Sequence, residues 1–157
     1  MKVTLVFLGL ALVVAMAGVS MKNSNRGGPA AVTVPFTALA EGARSEVSSR
    51  VNYLVTTQEE LSALWELLKE PPPPPTVDFN AKVVAAVFAG KAPTTGYSIT
   101  VAEVQDVDKR VVKIELTKPD ESCVLAQSVT APYQIIELPK TSLPFTHADT
   151  WVTKPCN

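Results

Sequence analysis

The sequence predicts a mainly β protein of the α+β class: an antiparallel β-sandwich or open barrel of about seven short strands, with one amphipathic helix. Three observations predict it. From Val32 onward apolar side chains recur mostly at every second position, the period of a half-buried strand. The segments with this pattern are joined by short turns, too short for the crossovers that parallel strands need. Only one segment, Leu61 to Leu68, carries helical spacing.

Val32 to Leu39 alternates with Val34 and Phe36, and Arg50 to Thr56 alternates through Val51, Tyr53 and Val55; Gly42 to Ser49 is a polar turn between them. The helix starts at a capping box, Thr57-Gln58-Glu59-Glu60, in which the Thr57 hydroxyl accepts from the Glu60 N–H while Glu60 reaches back. Leu61, Leu64, Trp65 and Leu68 then form one apolar stripe, which reads as core. Pro71 to Pro75 end the helix, because proline lacks an N–H and fixes φ, and they continue as a stiff polyproline connector. Lys82 to Ala89 is almost continuously apolar, as expected of a strand buried on both faces. Tyr97 to Val104 and Arg110 to Thr117 alternate around a hairpin turn at Val107-Asp108-Lys109. Pro119 to Ser122 is another turn, followed by strands at Val124 to Thr130 and Tyr133 to Leu138. Leu143 to Thr153 gives one weak strand at most.

The chain of 157 residues holds one such domain, residues 32–157, behind a Gly/Pro-bearing linker at 22–31. Residues 1–21 are expected to be a signal peptide or an N-terminal membrane anchor. Lys2 precedes an uncharged stretch from Val3 to Met21, and Ala15-Met16-Ala17 has the small-x-small form of a cleavage site. The same stretch is just long enough to span a bilayer if uncleaved. Both readings place the domain outside the cytoplasm, secreted or tethered. Export in turn gives the two cysteines a meaning, since in an oxidising compartment Cys123 and Cys156 form the one possible intramolecular disulfide.

Several function classes are excluded by residue content. With 14 Lys and Arg scattered among 15 Asp and Glu, the net charge is −1, and no basic stripe exists for nucleic acid. One His and two Cys do not make a common zinc site, and no cofactor or metal is expected. No Gly-x-Ser-x-Gly elbow, His-Glu-x-x-His or phosphate-binding Gly-rich loop occurs, so the chain is read as a non-enzyme. His147, the lone histidine, reads as a solvated loop residue. The informative segment is Pro93-Thr94-Thr95-Gly96-Tyr97, which follows the most hydrophobic strand. Pro93 fixes φ, Gly96 admits positive φ, and two threonines sit at the tip with Tyr97 as buttress, so a raised, stiff contact loop is expected.

These residues carry a resemblance. Val77-Asp78-Phe79, then Val83 to Gly90, then Pro93 to Ile99, and later Thr130-Ala131-Pro132-Tyr133 resemble the C-terminal domain of the PrcB family of protease-complex subunits, over about Arg50 to Leu138. Thr95 stands where that family has the first Gly of a pair, and Cys123 lies where members often place a cysteine. The resemblance implies an exported, non-catalytic domain that binds a protein partner, a protease, and associates with or stabilises it. The contact loop read from the residues themselves, Pro93, Thr94, Thr95, Gly96 and Tyr97, is the expected partner-binding loop of such a domain, with the neighbouring turn Thr130, Ala131, Pro132 and Tyr133 as a second. One loop is also similar to the protease-binding loop of chagasin-type cysteine-protease inhibitors, which implies the alternative of insertion into a protease cleft. That pattern's preceding Asn is Ala92 here, and its following aromatic is replaced by Ser98 and Ile99.

Overall fold

The structure is a computed structural model that describes Gly28 and residues 30–156; the expected leader or anchor at 1–21 and most of the linker lie outside these residues. Among the described residues, eight strands form two four-stranded sheets, with one short helix against the second. The first sheet has the order β1 (Val32–Thr33), β5 (Ser98–Asp106), β6 (Arg110–Pro119), β8 (Phe145–Lys154). The second has the order β2 (Thr37–Gly42), β7 (Tyr133–Pro139), β4 (Lys82–Phe88), β3 (Val51–Val55). The expected sandwich is therefore observed.

Three layers explain the composition of β4. Its Val83, Ala85 and Val87 pack with Ile136 and Leu138 of β7 against Ile99, Val104, Ile114 and Leu116 of the first sheet. Its Val84, Ala86 and Phe88 point the other way, against Leu61, Leu64, Trp65 and Leu68. Successive side chains of a strand face opposite sides, so a strand covered on both must be apolar throughout. The helix α1 (Gln58–Trp65) begins as expected, with the Thr57 hydroxyl accepting from the Glu60 N–H at 3.1 Å. The Glu60 carboxylate reaches one residue further back than a simple capping box and takes the Thr56 N–H at 2.8 Å. These hydrogen bonds from Thr56 hold its carboxyl below the ordinary value of 4.5.

The helix ends at Trp65, before the prolines, because tertiary pairing captures the following residues. Leu68 forms a bridge with Ser45, and the Glu46 N–H donates to the Leu67 carbonyl at 2.8 Å. The proline run is pinned at both ends: the Trp65 indole donates to the Pro71 carbonyl and the Gln58 amide to the Pro75 carbonyl, both at 3.1 Å.

Four expectations are corrected. Val32 to Leu39 is two strands, because the chain leaves the first sheet at Val34 and enters the second after Pro35, whose missing N–H suits a crossing point. Val124 to Thr130 is an irregular strap whose one bridge is that of Thr130 to Ala92, and Val124 is wholly exposed. The weak strand at Leu143 to Thr153 is instead a full ten-residue strand, β8. It runs parallel to β6, from Arg110 opposite Phe145 to Pro119 opposite Lys154. The short-connection rule applies to neighbours in one sheet, and β7, which lies between them in sequence, belongs to the other.

Two buried polar side chains lock this frame. Gln134 of β7 accepts the Val101 N–H of β5 at 2.6 Å, across the sandwich, and donates to Glu41 at 3.0 Å. Arg110, 3% exposed, binds the Asp106 carboxylate through two nitrogens at 2.7 Å each and donates to the Pro139 carbonyl. Its guanidinium lies 5.6 Å from the Phe145 ring centre, which adds a cation–π contact. Cys123 and Cys156 form the expected disulfide, tying the end of β8 to the strap.

Candidate functional site

The Pro93–Tyr97 loop joins β4 to β5 at one end of the sandwich. Gly90 opens it at φ +80, and here only glycine fits, since a Cβ would meet the backbone of Ser49 at 2.8 Å. Gly96 closes it at φ +93, its bare Cα facing Pro119 and Leu125. Both turns thus need residues that the sequence supplies.

The loop, expected to be raised, is fastened by hydrogen bonds to the segment from Ala126 to Thr130. Ala92 pairs in both directions with Thr130, at 2.8 and 3.0 Å. The Thr130 hydroxyl donates to the Thr94 carbonyl at 3.0 Å, and the Thr95 N–H donates to the Ala126 carbonyl at 3.2 Å. Thr94 spends its own hydroxyl on the Thr95 carbonyl. Pro93 and Gly96 are exposed, while Thr94, Thr95 and Tyr97 are half-buried. The accessible part of the loop is therefore its proline and its backbone more than its threonine hydroxyls.

Thr130, Ala131, Pro132 and Tyr133 are brought beside this loop, yet all four are buried. The four residues expected to form a second contact loop thus lie with their side chains buried beside the first. The Tyr133 ring stacks with Phe88 at 6.1 Å, and its hydroxyl donates to Glu70 at 2.5 Å. Burial first, and then that carboxylate, push the hydroxyl well above the ordinary tyrosine range. Tyr133 stays neutral and structural.

Around the loop lie shallow hollows. One of about 110 Å³ is lined by Lys91, Pro93, Tyr97 and Trp151; another of about 560 Å³ is lined by Gly96, Pro119, Leu125 and the disulfide. Val124 and Trp151, the latter at 58% exposure, line them in the open, and Val129, next to Thr130 in the chain, is 61% exposed. Trp151 was not legible as part of the site, because only the parallel pairing of β8 with β6 carries it to the loop.

His147 lies on β8 rather than in a loop, and it lines a cleft of about 170 Å³ with Tyr53, Leu54 and Phe145. Its Nε2 is 4.0 Å from the Asp149 carboxylate, which Arg50 already holds at 2.7 and 2.9 Å. The residues lining the cleft include no Ser, Cys or carboxylate that could serve as nucleophile. Among the described residues no cluster of His, Cys, Asp or Glu suits a metal ion.

Strands β4 to β7, with the loop between them, form the part of the chain that a family comparison picks out. Residues 83–139 match the family model described as PrcB C-terminal. The matched segment starts at Val83 and so leaves β1 to β3, the helix and β8 outside the match, a narrower span than Arg50 to Leu138. It contains the whole Pro93–Tyr97 loop and the turn that supports it. Neither curated proteins nor solved structures gave a match.

Proposed function

We propose that this domain is an exported, non-catalytic protein-binding module that associates with a protease and stabilises it, using the Pro93–Tyr97 ridge and the apolar side chains beside it. The observation that carries the reading is the family match, which contains that loop. A loop already fastened by backbone hydrogen bonds loses little entropy on binding, so modest contacts suffice for affinity. Exposed Pro93, Val129 and Trp151 supply apolar area at the rim. The inhibitor alternative is weaker, because it calls for a second projecting loop and Thr130–Tyr133 is buried.

The test is affinity capture from the envelope fraction of the host, with the full chain as bait. Thr94→Glu/Thr95→Lys is expected to lose the captured protease. Pro93→Glu, at an exposed position, is expected to do the same with an unchanged thermal melt. Undiminished recovery with Pro93→Glu removes the loop from the account. Adding the chain to the captured protease is expected to lengthen its active lifetime; a dose-dependent loss of activity would instead establish the inhibitor.

A further inference from the structure

We infer that β8 is a self-association edge, pairing antiparallel with β8 of a second copy about a twofold axis at Ala148. The sandwich has four edge strands, and three are poor templates. β1 has two residues, β2 breaks register between Ala38 and Ala40, and β3 has five residues. β8 has ten, keeps an unbroken register with β6, and pairs with no described strand on its outer side. Long, regular, uncovered edges attract another strand.

The sequence of β8 specifies which strand. Phe145-Thr146-His147-Ala148-Asp149-Thr150-Trp151 reads nearly the same in both directions by chemical type. With the axis at Ala148, Phe145 faces Trp151 of the second copy, Thr146 faces Thr150, and His147 faces Asp149. Aromatic pairs and threonine pairs are favourable cross-strand combinations, and an imidazole opposite a carboxylate, the one that Arg50 also holds, adds a polar match. Moving the axis by one residue places Asp149 opposite itself, or His147 opposite itself, and loses every match. The faces also agree, since Phe145, His147, Asp149 and Trp151 lie opposite Arg110, Val112, Ile114 and Leu116 and so share one side. On that side Leu54 of the adjacent β3 edge, paired with Ala85 of the inter-sheet face, stands 45% exposed next to the His147 cleft, and a second copy covers it. An unrelated extended peptide would match some of these features; a second copy matches all of them at once.

The test is sedimentation velocity of the full chain in nonionic detergent, with three forms compared. Wild type and His147→Lys are expected to be dimers. His147→Asp sets two pairs of like charges opposite each other and is expected to weaken dimerisation about tenfold or more, with an unchanged thermal melt because the side chain is exposed. The charge contrast isolates β8 from any association through the N-terminal apolar segment. Register is read by oxidative cross-linking of full-length chains. Ala148→Cys is expected to join two copies, whereas Thr153→Cys is not, its partners lying about 34 Å apart at this register. A monomeric wild type, a His147→Asp dimer as tight as wild type, or Thr153→Cys cross-linking as readily as Ala148→Cys overturns the inference. None of these variants alters the Pro93–Tyr97 loop or Trp151, the one side chain that both surfaces use, so dimerisation is read by sedimentation and cross-linking and not by protease capture.

Discussion

β4 and β8 are both strands of unbroken register, yet they are held in place by different forces. β4 has a hydrogen-bonded neighbour on each side and a packed layer on each face, and its last six residues are buried. β8 has one neighbour, β6, and its residues from His147 to Trp151 are all exposed. What fixes β8 is a parallel ladder of ten residues, the Arg50–Asp149 ion pair and a disulfide at its far end. The contrast separates two ways of building a sheet. Burial demands apolar side chains and so constrains composition, whereas backbone pairing with a covalent tether leaves the side chains free for other work.

The largest expected effect tests the buried side of this contrast. Phe88 is fully buried between the Tyr53 and Tyr133 rings at 5.9 and 6.1 Å. Phe88→Ala is expected to cost about 3–5 kcal/mol in urea unfolding, and Trp151→Ala on β8 less than about 0.5 kcal/mol. Equal losses would erase the distinction between the strands. Next comes the tether. Replacing Cys123 and Cys156 by Ser removes a link across 33 residues and is expected to cost about 3–4 kcal/mol by loop entropy. Hydrogen exchange should then speed first at Val152 to Lys154, with β4 amides following only global unfolding.

The smallest effect sharpens the junction between the sheets. The Arg110 guanidinium holds the Asp106 carboxyl below the ordinary value of 3.8. The unfolded state therefore takes up this proton first as pH falls. The pair's stabilisation is full above the unfolded value and is lost as pH drops through the lower folded one. Asp106→Asn is expected to flatten the acid limb of a stability-versus-pH curve below about pH 4, leaving its shape near neutrality unchanged.

The same contrast explains which parts of the molecule were legible in sequence. β4 was readable because a strand covered twice has no polar positions. The helix was readable because Thr57 and Glu60 mark its start and Leu61, Leu64 and Trp65 its buried stripe. The Pro93–Tyr97 loop was readable because Pro93 and Gly96 impose their backbone locally. By contrast, β8 carries Thr, His, Asp and Lys, and nothing in that composition records a ladder made to residues more than 30 positions earlier. Val124 to Thr130 misled for the opposite reason: it has residues that suit a pleated surface and no strand to pair with. The burial of Thr130–Tyr133 depends on Tyr133 meeting Phe88 and Glu70, contacts of long range that no local pattern announces.

Gln134 has a further consequence for how the two sheets move. Its oxygen takes the Val101 N–H from the opposite sheet, and its nitrogen is committed to Glu41 in its own. Sliding one layer over the other by a single residue would strand a buried amide and a buried backbone donor together, at roughly 1–3 kcal/mol each. Partial slippage gains nothing to offset that loss, so the stacking is all-or-none: the layers shift as a rigid block or separate altogether.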